Sequence, residues 1–289
     1  MTIATAPLLN LATAAMGTRF ELVLSGDDDI ALRAAGESAV AEIERLHSLL
    51  TRFRGDSLLS HINRTAAHAP VRLDADTFAL FQDAQAVYRE SAGAFDVTLG
   101  TGMRQIVLNA EMHTLRFSDA RSAIRDPQSA IRDPTPAIRD PQSAIRNPRS
   151  GMPCLDLGAI AKGHALDCAG RILRDHGVNS ALLHGGTSSV LAIGSAPGEP
   201  AWRVALAHHP YRLIVDLCDA ALSVSCTLGD RTHNVGHIVD PRTLTCIERE
   251  CYAAATGPSA RLADAWTTAL VVLAERPAAL GSEWTTWLW

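Results

Sequence analysis

The spacing of hydrophobic and polar residues predicts a strand followed by a long helix near the N-terminus. Residues 18–25, TRFELVLS, alternate between polar and apolar side chains, which is typical of a half-buried strand. The segment 27–51 opens on three aspartates, which favour the positive end of a helix dipole. Its apolar side chains then recur at helical spacing, at Ile30, Ala34, Val40, Ile43, Leu46 and Leu50.

The rest of the chain mixes helical and strand patterns without a regular strand–helix–strand repeat. The predicted elements are a short helix within 52–63, a helix at 74–93 started by Asp74 or Asp76 and stopped by Gly93, a hairpin at 104–117 around a polar turn at 109–111, a turn and helix at 155–178 that ends at Gly177, strands on both sides of Gly185 and Gly186, strands at 202–206, 212–217 and 222–226, and a helix at 259–275 capped by Ser259. This order predicts an α+β fold, with mostly antiparallel sheets flanked by helices.

Residues 122–149 are four near-identical heptads, SAIRDPQ, SAIRDPT, PAIRDPQ and SAIRNPR. A proline in every heptad excludes a coiled coil, and one isoleucine per heptad is too little to build a core. The Asp-Pro and Asn-Pro steps favour turns or extended chain. We therefore expect a single domain over residues 1–289, interrupted at 122–149 by a disordered insertion in a surface loop. The alternative is a tether that binds a partner.

Composition and charge narrow the class of protein. Hydrophobic residues make up 47% of the chain and charged residues 20%, which is enough for a sizeable core. The net charge is −5 and no basic run occurs, so we expect no nucleic-acid partner, and no stretch predicts a membrane span. The N-terminal segment has neither the positive charge of a signal peptide nor a lipoprotein cysteine, and the six cysteines include no CxxC pair. We expect a cytoplasmic protein with reduced thiols.

The segment DLGAIAKGHALD, residues 156–167, places chemistry at the start of a helix. We expect Asp156 to end a strand, and Gly158 and Gly163 flank Lys162. Backbone N–H groups at a helix start, together with a lysine, suit a phosphate. The glycines are too close for the GxxxxGK[ST] nucleotide-binding loop, and no hydroxyl follows Lys162. The alternative is an ordinary helix start with an exposed lysine.

Three further segments cluster polar residues. In ADAWTT, Asp264 and Thr268 lie one helical turn apart and could both reach Mg²⁺; alternatively, Asp264 only interacts with the helix dipole. In HIVDPRT, His237 is a candidate general base or a structural histidine. In GAFDVTLG, Phe95 and Asp96 belong either to a ligand-lining loop or to a helix end followed by a strand.

Seven segments taken in order resemble one family, the FAD:protein FMN transferases, also called the ApbE family. They are MGTRFEL, LTRFRGDSLLSHIN, GAFDVTLG, DLGAIAKGHALD, LLHGGTSSVLAIG, HIVDPRT and ARLADAWTTAL. Such enzymes cleave the pyrophosphate of FAD, pass FMN to a threonine or serine hydroxyl of a target flavoprotein, and release AMP. The resemblance covers almost the whole chain outside the heptads. It therefore implies a flavin transferase whose two partners are FAD and a target flavoprotein.

The resemblance also implies roles for individual residues. It implies an Mg²⁺ site made by the Asp264 carboxylate, the Thr268 hydroxyl and the Ala159 backbone carbonyl. It implies FAD contacts from Met16, Phe53, Ala94, Phe95, Asp96, Asp156, Lys162 and the region of Ile238. Lys162 would lie near the phosphates, Met16 and Phe53 would offer apolar surface to a ring of FAD, and His237 is the candidate base.

The chain departs from the family pattern at several positions. Phe53 and His164 stand where tyrosine is usual, Thr187 where asparagine or aspartate is common, and Leu244 where glycine is usual. None of these departures removes an implied metal ligand. Two alternatives stay open: an FAD pyrophosphatase that gives FMN and AMP with water as acceptor, and an FAD-binding protein that has lost activity.

Overall fold

The structure is a computed structural model that describes residues 8–100, 102–118, 154–208, 211–227 and 238–289. The heptads at 122–149 and His237 lie outside these ranges. The helices are α1 (Asp29–Leu50), α2 (Leu58–Thr65), α3 (Ala75–Glu90), α4 (Ala161–Asp175) and α5 (Ala260–Leu273), with a 3₁₀ turn at Met103–Gln105. Within the described residues, none of the helices is long and apolar enough to cross a membrane.

The strands of the described residues form one large sheet and three small ones. They are β1 (Leu8–Ala15), β2 (Thr18–Ser25), β3 (Val71–Arg72), β4 (Ile106–Asn109), β5 (Thr114–Phe117), β6 (Ser180–Gly185), β7 (Ser189–Ile193), β8 (Trp202–His208), β9 (Tyr211–Leu217), β10 (Ala221–Cys226), β11 (Val239–Asp240), β12 (Thr245–Cys246), β13 (Tyr252–Gly257) and β14 (Thr285–Leu288). The large sheet has the order β1-β2-β6-β7-β10-β13-β14, and the small ones are β3-β5-β4, β8-β9 and β11-β12. Every pairing is antiparallel, so the predicted α+β class is confirmed.

The large sheet is covered on both faces, which explains why its central strands are continuously hydrophobic. Helices α1, α4 and α5 pack on one face, where Leu183 and Leu191 join the main core. The β8–β9 hairpin packs on the other face, where Leu182 and Val190 join a second, smaller core around Trp202. Alternating residues of one strand thus belong to different cores, because successive side chains in a strand point to opposite faces.

Four of the five helices begin where a short polar side chain caps them. The caps are Asp28 for α1, Ser57 for α2, Asp74 for α3 and Ser259 for α5, and each accepts a hydrogen bond from a backbone N–H of the first turn. The predicted capping by Ser259 is therefore confirmed, and the choice between Asp74 and Asp76 falls to Asp74. Helix α4 begins after Ile160 and has no side-chain cap of its own.

Several boundaries differ from the predictions. β1, β13 and β14 were not predicted, since their pattern of small and apolar residues does not alternate clearly, and the turn of the β4–β5 hairpin falls at 110–113. The expected strand ending at Asp156 is wrong: residues 154–157 belong to none of the sheets, although the Asp156 N–H donates to the Val97 carbonyl. Residues 96–100 likewise form turns and not a strand, because the Asp96 carboxylate accepts from the N–H groups of Thr98 and Gly100.

Helix α2 holds the described residues on both sides of the heptad segment. The Phe117 N–H donates to the Ala66 carbonyl. The Asn63 side chain donates to the Leu155 carbonyl and accepts from the Leu155 N–H, at 3.1 and 2.8 Å. The described residues that flank the heptad segment therefore both contact this short helix or its C-cap.

Candidate active site

One cavity of about 470 Å³, which we call the main cavity, collects most of the predicted site residues. Nine of the twelve line it: Ala94, Phe95, Asp96, Asp156, Ala159, Lys162, Ile238, Asp264 and Thr268. They come from the turn after α3, the start of α4, the segment before β11, and α5. Residues more than a hundred positions apart in sequence thus face one space.

Asp264 is the most deeply buried charged group of this cavity. Its side chain is on the second turn of α5, and the residue is only 4% exposed. Oδ1 accepts from the hydroxyls of Ser189 and Ser223, both at 2.7 Å, and Oδ2 accepts from the Gly163 N–H at 2.7 Å. Burial raises the pKa of Asp264, while nearby Lys162 and these hydrogen bonds oppose that rise. The carboxylate is therefore costly to keep charged without a further cation.

The position of Asp264 depends on a close crossing of α4 and α5. Gly163 is the second residue after Ala161 in α4, and a Cβ added to it would lie 2.1 Å from the Ala260 carbonyl oxygen. In the opposite direction, Asp167 of α4 accepts from the Ser259 hydroxyl and from the N–H groups of Ala260 and Arg261, at 2.7 to 3.0 Å. Each helix therefore contributes an aspartate that accepts hydrogen bonds from the start of the other helix, Asp264 from α5 and Asp167 from α4.

A family model supplies the identification of this arrangement. The model described as "ApbE family" matches residues 16–282, which is nearly the whole chain. The chain belongs to the ApbE family. The resemblance inferred from the seven segments is thereby confirmed.

Individual ApbE relatives are distant in sequence and close in fold. An FAD:protein FMN transferase from Klebsiella pneumoniae (strain 342) is 23% identical over 268 residues, which cover 89% of this chain and 76% of that protein. One from Salmonella typhimurium is 24% identical over 275 residues, covering 91% and 78%. The crystal structure of the ApbE protein from Thermotoga maritima superposes with a TM-score of 0.72 at 20% identity, covering 93% of this chain and 87% of that one.

Three predicted residues lie elsewhere in this ApbE chain or outside the described part of it. Phe53 is 82% exposed, with the Arg52 guanidinium 4.9 Å above its ring. Arg52 in turn pairs with Asp156 of the main cavity, Nε to Oδ2, at 3.1 Å. Met16 occupies the tight turn between β1 and β2 with a φ of 51°, and its N–H donates to His47 Nδ1. His237 is not among the described residues.

Sequence reasoning missed the hydroxyl groups that hold Asp264. Ser189 and Ser223 are direct partners in the pairing of β7 with β10, and both face the helices. Ser225 follows two residues later on the same face and donates to Thr267. The alternation Ser223, Val224, Ser225 within a buried strand was the available signal, because a strand otherwise buried on both faces seldom repeats a hydroxyl at a spacing of two.

The donors expected for Mg²⁺ in an ApbE protein are compatible with this geometry. Within the described residues there is no group of three or more His, Cys, Asp and Glu side chains arranged for a metal. The expected set contains one carboxylate, one hydroxyl and one backbone carbonyl, and all three residues line the main cavity. A carboxylate offers about four lone-pair directions, and protein donors fill three of those of Asp264. Oδ2 therefore retains one direction for a cation.

Proposed function

We propose that this chain is an FAD:protein FMN transferase that binds FAD in the main cavity. It would move the FMN half to a threonine or serine hydroxyl of a target flavoprotein and release AMP. The observation that carries the proposal is the meeting of Asp264, Thr268, Ala159 and Lys162 at one cavity of a chain that belongs to the ApbE family. The same activity is the printed name of its Klebsiella and Salmonella relatives.

Asp264, Thr268 and the Ala159 carbonyl would hold Mg²⁺, an ion that prefers oxygen ligands and keeps places for phosphate oxygens. When bound, the ion would neutralise charge on the pyrophosphate as the bond to AMP breaks. The Thr268 hydroxyl donates to the Asp264 backbone carbonyl at 3.2 Å, which leaves its oxygen lone pairs available. Mg²⁺ would add a second positive charge beside the buried Asp264, next to that of Lys162.

The remaining lining residues would bind and orient FAD. Lys162, at the start of α4, supplies a positive charge for the phosphates, and the helix start adds the positive end of its dipole. Phe95 and Ala94 are buried apolar walls, and Ile238 is nearly so. Asp96 and Asp156 would offer carboxylates to the donor groups of FAD, and Met16 and Phe53 would extend the apolar contact.

His237 would act as the base. It would take the proton of the acceptor hydroxyl while the hydroxyl oxygen bonds to the phosphorus of the FMN half. The bond from that phosphorus to the bridging oxygen breaks, and AMP leaves with the electron pair. This assignment follows from the family resemblance.

The decisive experiment is incubation with FAD, Mg²⁺ and an acceptor domain that a related bacterial FMN transferase modifies. We expect the acceptor to gain the mass of an FMN group and to become fluorescent, with one AMP released for each group transferred. The matched control is the same acceptor with its threonine or serine replaced by alanine. If FAD is consumed to FMN and AMP while both acceptors stay unmodified, the pyrophosphatase alternative holds; FAD left intact excludes both reactions.

We further propose a cytoplasmic location, on the ground that all six cysteines are thiols and two of them are exposed, Cys218 and Cys246. Fractionation of cells that express the native gene would place the protein, and recovery in an exported fraction would contradict the proposal.

A further inference from the structure

A second cavity of about 470 Å³ lies beside the β8–β9 hairpin, and we call it the edge cavity. Its floor is the hairpin side of the large sheet, with Val190 and Leu222 as apolar residues and Glu21 and His184 as polar ones. Arg19 pairs with Glu21 at one side, Nε to Oε1, at 2.6 Å. The proposed catalytic residues take no part in this floor.

The wall of the edge cavity is the edge of a strand. Three consecutive residues of β8, namely Val204, Ala205 and Leu206, line it, and none of the β9 residues whose side chains are described, 213–217, does. Neighbouring residues of a strand point to opposite faces, so three in a row line a space only when the space runs along the strand edge. β8 pairs with β9 on one side and with no strand on the other, within the part of the chain that the structure describes.

The pairing register shows which backbone groups point into the cavity. His208 and Tyr211 close the hairpin as a hydrogen-bonded pair, and antiparallel pairs then alternate. Leu206 and Val204 therefore bond to β9, while the N–H and C=O of Ala205 point away from β9, along the edge that lines the cavity. Strand edges of this kind accept an extended peptide as an additional strand.

The edge cavity adjoins the main cavity, because two residues line both spaces. Ser188 and Val224 line both, and the Val224 N–H donates to the Ser188 carbonyl at 2.8 Å. Ser188 also directly precedes Ser189, which holds Asp264. A chain lying along β8 would thus lead past the β6–β7 turn into the space where FAD is proposed to react.

We propose that the free edge of β8 binds the acceptor-bearing segment of the target flavoprotein as an added strand. The segment would pair with Ala205, rest apolar side chains on Val190 and Leu222, and present its hydroxyl past Ser188. This inference rests on the proposed transferase function, because it assigns that function's protein substrate to a surface. The surface is assigned to the acceptor and not to another partner because Ser188 and Val224 line both the edge cavity and the proposed FAD site.

The test is a matched pair of proline variants, Ala205→Pro and Ile214→Pro. The two residues are direct partners in the hairpin and both are exposed, but their free N–H groups lie on opposite edges. Proline removes a backbone donor and is tolerated at a strand edge whose N–H is unpaired. We expect Ala205→Pro to lower kcat/KM for the acceptor domain about tenfold or more, with FAD binding unchanged, and Ile214→Pro to act as wild type.

The possible outcomes distinguish a failure of the docking inference from a failure of the proposed transferase function. If both variants match the wild type, the docking inference is wrong and the transferase function stands. If the wild-type protein releases AMP but modifies none of the acceptor, hydrolysis replaces transfer and the docking inference falls with it. If the wild-type protein leaves FAD intact, the proposed function fails independently of β8.

A measurement on the wild-type protein covers the case in which Ala205→Pro does not fold. The acceptor domain, with its hydroxyl residue replaced by valine so that it binds without reacting, is added before amide hydrogen exchange. We expect exchange at Ala205 to slow by about tenfold or more, while Ile214 on the far edge stays as it was. Equal rates at Ala205 with and without saturating acceptor would overturn the inference.

Discussion

Two aspartates at the crossing of α4 and α5 each accept hydrogen bonds from the backbone of the other helix, yet their roles differ. Asp264 of α5 accepts the Gly163 N–H of α4, whereas Asp167 of α4 accepts two N–H groups and the Ser259 hydroxyl at the start of α5. Asp264 lines the main cavity and Asp167 does not. Two side chains of the same type thus have different roles: Asp167 caps α5, and Asp264 faces the proposed substrate.

The two carboxylates differ in how much of their hydrogen-bonding capacity remains unused. The bonds of Asp167 are those of a helix cap, a common and stabilising arrangement. Asp264 is buried with a raised pKa, lines the main cavity and keeps one lone-pair direction that no described donor fills. Contacts that stabilise the fold therefore surround a buried charge that costs stability, as expected of a functional site.

The largest effect is expected from Asp264→Asn, which keeps the volume and most hydrogen-bonding capacity but removes the charge. FMN transfer should fall about a thousandfold or more, because the proposed metal loses its only carboxylate. Without metal, the melting temperature should stay equal or rise, since a buried charge is removed. AMP release and thermal unfolding measure the two quantities. A variant that keeps wild-type activity would contradict the assignment of Asp264.

Asp167→Ala should have the opposite effect: it should lower mainly the stability of the protein and affect its activity less. Losing a cap that accepts three hydrogen bonds should lower the free energy of unfolding by about 2–3 kcal/mol, measured by urea denaturation. Transfer should decline only about tenfold, through displacement of α5, and Asp167→Asn should recover part of both losses. As a control, Asp76→Ala removes a half-exposed pair with Arg171 and should cost under about 1 kcal/mol. If Asp167→Ala lost activity as completely as Asp264→Asn, the contrast between the two aspartates would be broken.

His164, next to Gly163 at the same crossing, should make stability depend on pH. Burial lowers the pKa of His164 to about 4, and the neighbouring Arg261 adds to that shift. Between pH 6.5 and 4 the unfolded chain takes up a proton there before the folded protein does, so stability falls as the pH is lowered. The loss from this residue should reach about 3 kcal/mol near pH 4.

The measurement is urea denaturation from pH 7 to pH 4 for the wild type, His164→Phe and the exposed-residue control His68→Gln. In the wild type the free energy of unfolding should fall as the pH is lowered. His164→Phe should lose the part of this fall that comes from His164, and His68→Gln should keep it. Parallel curves for the wild type and His164→Phe would show that this histidine is protonated in the folded protein over the same range as in the unfolded one.

The smallest effect is expected from replacing residues 122–149 with a short Gly/Ser linker. Asn63 of α2 and its C-cap Ala66 hold the described chain on both sides, so the described ends of the loop are already held close together. Shortening a loop with fixed ends changes closure entropy little, and we expect a change under about 1 kcal/mol with FAD turnover nearly intact. Failure of the shortened protein to fold would identify the heptads as a structural element.

Hydrophobic periodicity predicted much of the fold because it reflects local geometry. β2 has the predicted bounds, and α1 and α5 lie within theirs. Edge strand β14 and its partner β13 were missed, since their pairing joins residues about thirty positions apart and leaves no local pattern. The sequence next to β1 carried one usable signal, Gly17, because both residues of this two-residue hairpin turn have positive φ and glycine adopts such a φ without strain.

The sequence by itself determined the family, the Ser259 cap of α5, the start of α3 at one of two aspartates, and the short motifs, because each depends on residues close together along the chain. It also determined which residues are candidates for the site. Only the tertiary structure decided that Ser189 and Ser223 hold Asp264, that Asp167 of α4 accepts hydrogen bonds from the start of α5, and that an edge of β8 without a strand partner among the described residues adjoins the proposed site. These facts depend on strand register and helix crossing, which bring distant residues within hydrogen-bonding distance and leave no periodic trace in the sequence.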